Sequence, residues 1–262
     1  MAFIGFFECV DDPEVATRLF DCASQQARAW GATALRGPRN LTRIEQTGLT
    51  VEGFDAAPPM LAGHHPRYYR ALVEGAAFMK HHDHLAYDID VVDADGAPRP
   101  LPDNLARQAA SCEIAGLEVH RARYARLATD LGLAHEVFVD AFRDVPENTP
   151  MPRAQFRGLG RALLLVTSRN VLQIATVAGR AAGFALCFPK MNEAIRHARG
   201  RLGPLGATRL ALGLRRIRAA SFKLLGVLPR FRGAGLHARL IAEAIERVRK
   251  AGYERPVGVP AG

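Results

Sequence analysis

Leu224-Leu225-Gly226-Val227-Leu228-Pro229-Arg230-Phe231-Arg232-Gly233-Ala234-Gly235-Leu236 is the stretch that decides the fold of this chain. An apolar run ends at Pro229, a basic loop with two glycines follows, and an amphipathic helix begins at Leu236. Strand, loop and helix N-terminus in this order gather backbone N–H groups and the positive end of the helix dipole at one point. Gly233 and Gly235 lack a Cβ, so an anion can approach the backbone closely. The stretch therefore predicts a phosphate-binding loop.

The spacing Arg230-x-x-Gly233-x-Gly235 is similar to the pyrophosphate loop of the GNAT (N-acetyltransferase) superfamily, whose pattern is Gln/Arg-x-x-Gly-x-Gly/Ala. The resemblance implies that the cosubstrate is acetyl-CoA or another acyl-CoA. Leu225 and Val227 would offer backbone groups to its pantetheine arm. The pyrophosphate would be held by the loop residues Arg230, Arg232, Gly233, Ala234 and Gly235. The alternative left open by the residues is an ordinary tight strand-to-helix turn with surface arginines.

The bulk composition is that of a folded protein with a basic second half. The 262 residues suffice for one large domain or two smaller ones, and 48% are hydrophobic. The net charge is +9, and arginines concentrate at Arg209, Arg215, Arg216, Arg218, Arg230 and Arg232. Such a patch favours polyanions: nucleic acid, anionic lipid or a phosphorylated cofactor. For the cluster from Arg209 to Arg218 three interpretations stay open: a solvated helix face, the rim of the CoA site, or a nucleic-acid patch.

Several classes of protein are disfavoured. Cys9, Cys22, Cys112 and Cys187 form no CxxC pair, so neither a zinc site nor a disulfide framework is expected. The apolar N-terminus has no basic lead and is not predicted to be a signal peptide, and no apolar run is long enough to span a membrane. We expect a cytoplasmic protein without metal or membrane partners. Nucleic acid is disfavoured as a partner because no aromatic residue is interleaved with the arginines from Arg209 to Arg218.

The order of predicted elements resembles a GNAT domain from about Gly116 onward. Helical spacing after a cap at Asp12 predicts a helix from Pro13 to about Trp30. The other predicted elements in the first part are a strand at Phe3–Val10, a short strand at 32–36, a short helix at Arg67–Gly75 and a strand at Phe78–Val92. The second part is predicted as strand Gly116–His120, helices Tyr124–Phe142 and Met151–Val166, strands Val171–Val177 and Ala181–Phe188, helix Asn192–Ala198, loop Gly200–Gly206, the central strand ending at Leu228 and helix Leu236–Ala251. The predicted class is α/β, a GNAT-like mixed sheet flanked by helices with a partial N-terminal GNAT-like repeat.

Three segments are predicted: a partial, degenerate GNAT-like half-domain at 1–92, a linker at 93–115, and a GNAT-like acyl-CoA-binding domain at 116–262 that is C-terminally short. Asp11 and Asp12 occupy the loop position of the first part and would repel a pyrophosphate. Short stretches along most of the chain resemble a bacterial family whose members pair a degenerate N-terminal GNAT half with an intact second half. Examples are Gly5-Phe6-Phe7-Glu8 and Phe188-Pro189-x-x-Asn192.

The chain departs from that family at both ends. It begins at what resembles the middle of the first domain, and it stops at Gly262, before the helix on which GNAT enzymes commonly place a tyrosine acid. We expect either a fragment or diverged copy, or a first half that supplies the missing elements. Tyr68 and Tyr69, on a short predicted helix before a strand, resemble in placement the tyrosine acid that GNAT enzymes carry late in the fold.

Other candidate residues are weaker. His81-His82-Asp83-His84 on a strand would place two ligands on each side, short of a tetrahedral set, so a solvated strand end is expected. Cys187 is expected to behave as a small hydrophobe in a strand. Glu193 is a candidate base, with a solvated helix position as the alternative.

The functional hypothesis is an acyl-CoA-dependent N-acyltransferase that passes an acetyl group directly to an amine. The alternatives are a non-catalytic GNAT-fold CoA-binding or regulatory module, and a nucleic-acid-binding protein with steep salt dependence. Fold does not assign the acceptor. The catalytic residues, the acyl group and the oligomeric state are not predicted.

Overall fold

A computed structural model of the chain describes residues 1–41, 46–58, 61–145, 148, 151–166, 171–198, 203–253 and the backbone of 257–261, without the side chains at 88, 163–166, 171, 193 and 197–198. The chain divides into two compact units, Met1–Leu85 (unit 1) and Ala86–Gly262 (unit 2). The sequence places this division at 92. Residues 93–115, predicted as a linker, contain a helix at Asp103–Ala110 that packs within unit 2.

Unit 1 contains a two-stranded parallel sheet and two helices: β1 Ala2–Phe3, α1 Pro13–Ala29, β2 Leu35–Arg36 and α2 Tyr69–Gly75. The cap predicted for α1 is present, because the Asp12 carboxylate accepts from the N–H groups of Glu14 at 2.8 Å and Val15 at 3.3 Å. Such a cap satisfies amides that have no partner within the helix. Gly31 follows the helix with a φ of 75°.

The predicted strand at Phe3–Val10 is wrong beyond Phe3. Phe6 has a φ of 53°, and a Cβ on Gly5 would lie 2.3 Å from the Arg39 carbonyl oxygen. The chain therefore leaves the extended conformation at Phe6, and the Arg39 backbone packs closely against Gly5. Its apolar side chains are buried by packing instead, since Phe7 stacks on Phe20 of α1 with ring centroids 4.8 Å apart. These rings form the unit 1 core with Ala16, Tyr69, Leu72 and Val73.

Unit 2 is built on a six-stranded mixed sheet. Its strand order is β3-β8-β7-β6-β5-β4. The pairs β4–β5, β5–β6 and β6–β7 are antiparallel, and β7 is parallel to β8. In chain order the elements are β3 Leu85–Ile89, α3 Asp103–Ala110, β4 Leu117–Arg121, α4 Leu127–Ala141, α5 Arg153–Val166, β5 Val171–Val177, β6 Arg180–Pro189, α6 Asn192–Ala198, α7 Pro204–Arg216, β7 Ala220–Val227, α8 Leu236–Lys250 and β8 Val257–Ala261.

Helices cover both faces of this sheet. A Cβ on Gly183 of β6 would contact Leu240 of α8 at 3.0 Å. Phe184, the next residue, faces the other way and lies beside Val137 of α4, because both border the position of a Cβ on Gly226. The α8 side holds a continuous core that includes Leu236, Leu240, Val248 and Tyr253. The predicted mixed sheet flanked by helices is thus confirmed.

Two elements of unit 2 differ from the prediction. The strand expected at Phe78–Val92 is confined to Leu85–Ile89. The loop expected at Gly200–Gly206 ends earlier, because α7 begins at Pro204, whose fixed φ and missing N–H suit the first helical position. The order β4, α4, α5, β5, β6, β7, loop, α8 follows the order that the resemblance implies, with α6 and α7 inserted between β6 and β7.

Candidate functional site

A cavity of about 260 Å³ lies where β7 ends and α8 begins. Four of the seven predicted cofactor-binding residues line it, namely Leu225, Val227, Arg232 and Gly233. The remaining lining comes from Gly226, from His237 in the first turn of α8, and from the end of α4 and the residues after it, Ala141, Phe142 and Val145. The opening stretch of the sequence and the end of α4 therefore form one concave surface.

The strand contributes backbone groups to this surface. The Leu228 N–H donates to the Ala182 carbonyl on β6 at 3.0 Å. Successive N–H groups of an extended strand point to alternate edges, so the amides of Leu225 and Val227 point to the edge opposite β6. The recorded pairing of β7 with β8 is at Ser221 and Gly258, near the other end of β7. Both predicted residues thus face the side on which β8 lies, at the end of β7 that borders the cavity.

The loop after β7 turns through two left-handed residues. Gly233 and Gly235 both have a φ of 77°, which residues with a Cβ adopt at a cost. Gly233 faces open space, since no atom lies within 4 Å of the position of a Cβ there. Within the described residues no side chain caps the N-terminus of α8, so its first-turn amides have no acceptor from a side chain. An anion at this point would meet both the amides and the positive end of the dipole.

The two loop arginines have different surroundings. The Arg232 guanidinium donates to the carbonyl of Ala141 at 2.9 Å, which keeps it at the cavity wall. The Arg230 guanidinium donates to the Ala181 carbonyl at 3.1 Å and lies over the Phe231 ring at 5.0 Å. Arg230 does not line the cavity. Arg232 is therefore the loop cation best placed to meet a ligand in it.

Gly235 and Ala234 do not line the cavity either. A Cβ on Gly235 would lie 2.6 Å from the backbone carbonyl oxygen of Gln108, so α3 packs directly against this turn. The Gln108 side chain also forms a 3.0 Å hydrogen bond with the ring of His237. Residues predicted as linker thus support the loop from behind and orient one side chain of the cavity.

The structure contains a lysine that sequence reasoning missed. The pairing of β6 and β7 shifts from Leu186–Leu224 to Cys187–Phe222, which leaves Lys223 as the extra residue of a β-bulge. Burial of its side chain lowers the pKa of the Lys223 ammonium from 10.5 to about 8. Lys223 lies on the strand that borders the cavity, about 13 Å along it from Val227. Its signal in the sequence is a lysine between the apolar residues Phe222 and Leu224.

A second feature that sequence reasoning missed is a pair of polar side chains on β4 and α4. The Asp130 carboxylate is fully buried, and its Oδ1 lies 3.0 Å from Nε2 of His120, whose side chain is 28% exposed. The other carboxylate oxygen accepts from the Arg123 N–H at 3.3 Å. The pair joins the edge strand to the first turn of α4, and neither residue lines the cavity.

The other sequence candidates lie elsewhere. Nε2 of His82 and Nε2 of His84 are 2.8 Å apart, but His82 precedes β3, so the predicted strand alternation does not apply. Among the residues that the structure describes, no cluster of three or more His, Cys, Asp or Glu is placed to hold a metal ion. Cys187 is fully buried, and burial raises the pKa of its thiol. The side chain of Glu193 lies outside the described part.

Tyr68, Tyr69 and Asp12 of unit 1 have structural partners. The Tyr69 hydroxyl donates to the Glu8 carboxylate at 2.8 Å and accepts from the Cys9 N–H at 3.0 Å. The Tyr68 hydroxyl donates to the Cys9 carbonyl at 3.0 Å. Asp12 caps α1. These contacts hold the segment before α1 in place.

Comparison with known proteins finds relatives along nearly the whole chain. The chain matches no family model. It is 30% identical over 257 residues to a bacterial ceramide synthase of Caulobacter vibrioides, covering 96% of this chain and 65% of that protein. It is 26% identical over 249 residues to protein YghO of Escherichia coli, covering 94% of this chain and 62% of that protein. The chain thus spans a little less than two thirds of the length of these curated relatives.

Solved structures similar to the chain include acetyltransferases. A GNAT family acetyltransferase from Brucella melitensis, in complex with acetyl-CoA, is 17% identical with a TM-score of 0.35, covering 52% of this chain and 71% of that one. An aminoglycoside acetyltransferase from an uncultured soil sample, in complex with sisomicin, is 15% identical with a TM-score of 0.38, covering 56% and 78%.

The order of strands and helices in unit 2, together with its mixed sheet covered on both faces, gives this chain a GNAT-like α/β fold.

Proposed function

We propose that this chain binds an acyl-CoA and transfers its acyl group to an amine nitrogen. The observation that carries the proposal is the cavity between the end of β7 and the N-terminus of α8. There Arg232, Gly233 and the outward-pointing edge of Leu225 and Val227 come together.

The chemistry of this surface suits a thioester with a pyrophosphate. First-turn amides without a side-chain cap, a guanidinium and an open glycine offer donors and positive charge to a dianion. Backbone groups of Leu225 and Val227 offer alternating donor and acceptor sites to the amide-containing pantetheine arm. We place the pyrophosphate at Arg232 and Gly233 and the arm along β7, so the thioester lies toward the bulge at Lys223.

The relatives suggest the acceptor to test first. One of them is named a ceramide synthase, and a ceramide is the amide formed by N-acylation of a long-chain amino alcohol. The acceptor proposed for this chain is therefore a long-chain amino alcohol, and the donors are a long-chain acyl-CoA and acetyl-CoA. It is a proposal because the chain spans 65% of that protein.

The reaction is a direct transfer. The amine nitrogen attacks the thioester carbonyl carbon, the C–N bond forms, the C–S bond breaks, and CoA leaves as its thiolate. The attacking amine loses one proton, and we assign Lys223, in its neutral form, as the acceptor of that proton. Support comes from its position on the same strand and from burial, which lowers the pKa of its ammonium to about 8.

Isothermal titration of the full chain with acetyl-CoA and with palmitoyl-CoA tests the binding step. Gly233→Asp adds a carboxylate where the structure has open space, and Gly233→Asn adds a neutral side chain of the same shape. Both residues tolerate a positive φ better than other side chains do. We expect the aspartate variant to bind at least about tenfold more weakly than the asparagine variant, because a charge facing the pyrophosphate is repelled. Equal affinities would refute this location.

Release of free CoA thiol tests the transfer step, with a long-chain amino alcohol and a set of short amines as acceptors. Release with the amino alcohol supports the whole proposal. Release with short amines alone would support acyl transfer to an amine and would overturn the long-chain amino alcohol as the acceptor. Binding of acyl-CoA with no release for any amine would favour a non-catalytic CoA-binding module.

A further inference from the structure

The helices α6 and α7 form an excursion between two neighbouring strands, which we call the helical insertion, residues 190–219. Its base is closed by the pairing of Pro189 with Ala220 and by a 2.9 Å hydrogen bond from the Lys190 N–H to the Ala219 carbonyl. α7 packs closely on α6, since a Cβ on Gly213 would lie 3.1 Å from Cα of Ala194. One side of α7 is therefore occupied by its neighbour.

Another side of α7, about a quarter of a turn around the helix from Gly213, exposes leucines. Leu205 is 65% exposed and Leu212 is 53% exposed. Arg209 and Arg216 are exposed as well. The spacing 205, 209, 212, 216 follows steps of four, three and four residues, which places all of them on one helix face. We call this the α7 outer face.

The α7 outer face carries only positive charge. The sequence from Gly203 to Arg218 contains no aspartate or glutamate, and Arg215 adds a further exposed cation beside Arg216. It also contains no aromatic residue on which a base could stack. Two simpler roles, contact with water alone or binding to nucleic acid alone, would explain the exposed arginines of this face. Neither would explain its two exposed leucines. Leucines interleaved with arginines match the interface of an anionic bilayer, where the apolar groups enter the headgroup region and the cations meet phosphates.

The location of this face separates it from the candidate acyl-CoA site. α7 leads into the first residue of β7, whereas the Arg232 loop follows the last one. β7 has eight residues, so its two ends are about 23 Å apart. The last turn of α7, with Arg215 and Arg216, is therefore separated from the pyrophosphate loop by the length of β7.

We propose that the α7 outer face docks the protein on an anionic lipid surface. This goes beyond the proposed function and departs from the expectation of no membrane partner. The contact is peripheral: within the described ranges, each helix is too short or too polar to span a bilayer. The insertion lies next to the end of β7 toward which the proposed acyl-CoA arm extends, so docking would bring a membrane-resident acceptor to that end.

Vesicle flotation of the full chain, without acyl-CoA, tests the proposal. Vesicles of phosphatidylcholine with about a third phosphatidylglycerol are compared with pure phosphatidylcholine vesicles. We expect binding to the anionic vesicles, weakened by salt. Each of Arg209→Gln and Arg216→Gln should lower partitioning about fivefold. Each of Leu205→Ser and Leu212→Ser should lower it about tenfold. All four residues are exposed, so the fold is expected to persist, and circular dichroism checks this.

Matched controls lie on α1, where Leu19 is 42% exposed and Arg18 is exposed. Leu19→Ser and Arg18→Gln should leave partitioning unchanged. Binding that responds equally to the α1 and α7 variants would overturn the proposal, as would no binding to anionic vesicles. If only the arginine variants lowered vesicle partitioning, and the parent chain bound duplex DNA as well as it bound anionic vesicles, nucleic acid would replace the lipid surface as the partner of this face. Because no acyl-CoA is present, failure here leaves the transferase proposal standing.

Discussion

Replacement of Lys223 by methionine is expected to make the protein more stable at neutral pH. Lys223 is the bulge residue of β7, it is half-buried, and burial lowers the pKa of its ammonium from 10.5 to about 8. Methionine has a similar length, fills irregular space readily and carries no charge. The variant therefore removes the cost of holding a charge in a partly apolar site while retaining most of the packing.

The size and the sign of the effect follow from the two pKa values. Between pH 8 and 10.5 the unfolded chain holds a proton on Lys223 that the folded chain has released, so the free energy of unfolding rises with pH in this window. At about 1.4 kcal/mol per pH unit, the rise is at most roughly 3 kcal/mol. The methionine variant lacks this rise in the free energy of unfolding. The variant's advantage should therefore be largest below pH 8 and shrink to a packing difference above pH 10.5.

Guanidinium unfolding at a series of pH values from 7 to 10.5, followed by far-ultraviolet circular dichroism, measures this difference. Other groups that titrate in the same range contribute equally to parent and variant and cancel. Lys250→Met on α8 serves as the matched control, because Lys250 is exposed and methionine there relieves no burial. A stability difference for Lys223→Met that is the same at pH 7 and pH 10.5 would refute the reasoning.

The same variant carries a second readout for the proposed role of Lys223. If the neutral amine accepts the proton, kcat/KM of the parent should rise toward about pH 8 and then level off. The methionine variant should be more stable and slower, and it should lose this pH dependence. A stable variant with full turnover would remove Lys223 from the mechanism.

Two further predictions concern packing in unit 2. Gly226→Ala should cost about 1–3 kcal/mol in a thermal melt, because its Cβ would lie 2.7 Å from the Phe184 ring; an unchanged melting temperature would contradict this. His120→Ala should destabilise by about 1–3 kcal/mol, because it leaves the buried Asp130 carboxylate with little compensation. Adding Asp130→Asn should recover part of that loss, and a double variant less stable than His120→Ala would count against a charge effect.

Local signals in the sequence predicted most elements of unit 2. The Asp12–Pro13 cap in unit 1, the hairpin at Ala178–Gly179 and the amphipathic α8 each depend on neighbours a few residues away, and the structure has them where expected. The strand at Phe3–Val10 failed for a different reason. Its apolar pattern is satisfied by aromatic packing, and the backbone departs from a strand at Phe6, whose φ of 53° no periodicity reveals.

The candidate site was predictable only in the part that is continuous in sequence. Leu225, Val227, Arg232 and Gly233 lie within one strand and loop, whereas Phe142 and Val145 reach the cavity through the packing of α4. Lys223 was missed because a bulge is defined by the partner strand, which places Cys187 and Leu186 opposite Phe222 and Leu224. Such register shifts depend on tertiary pairing, and a single strand's sequence does not encode them visibly.

The closed base of the helical insertion makes it an exchangeable module. Strands β6 and β7 are paired from Gly183–Val227 to Pro189–Ala220, so their register does not depend on what connects them. The two ends of the connection, Lys190 and Ala219, already meet in a backbone hydrogen bond. The entropic cost of such a connection grows slowly with its length, by about 0.6 kcal/mol for each doubling, so excursions of different lengths can join the same ends. Residues 190–219 can therefore change while the sheet that carries the candidate site keeps its pairing.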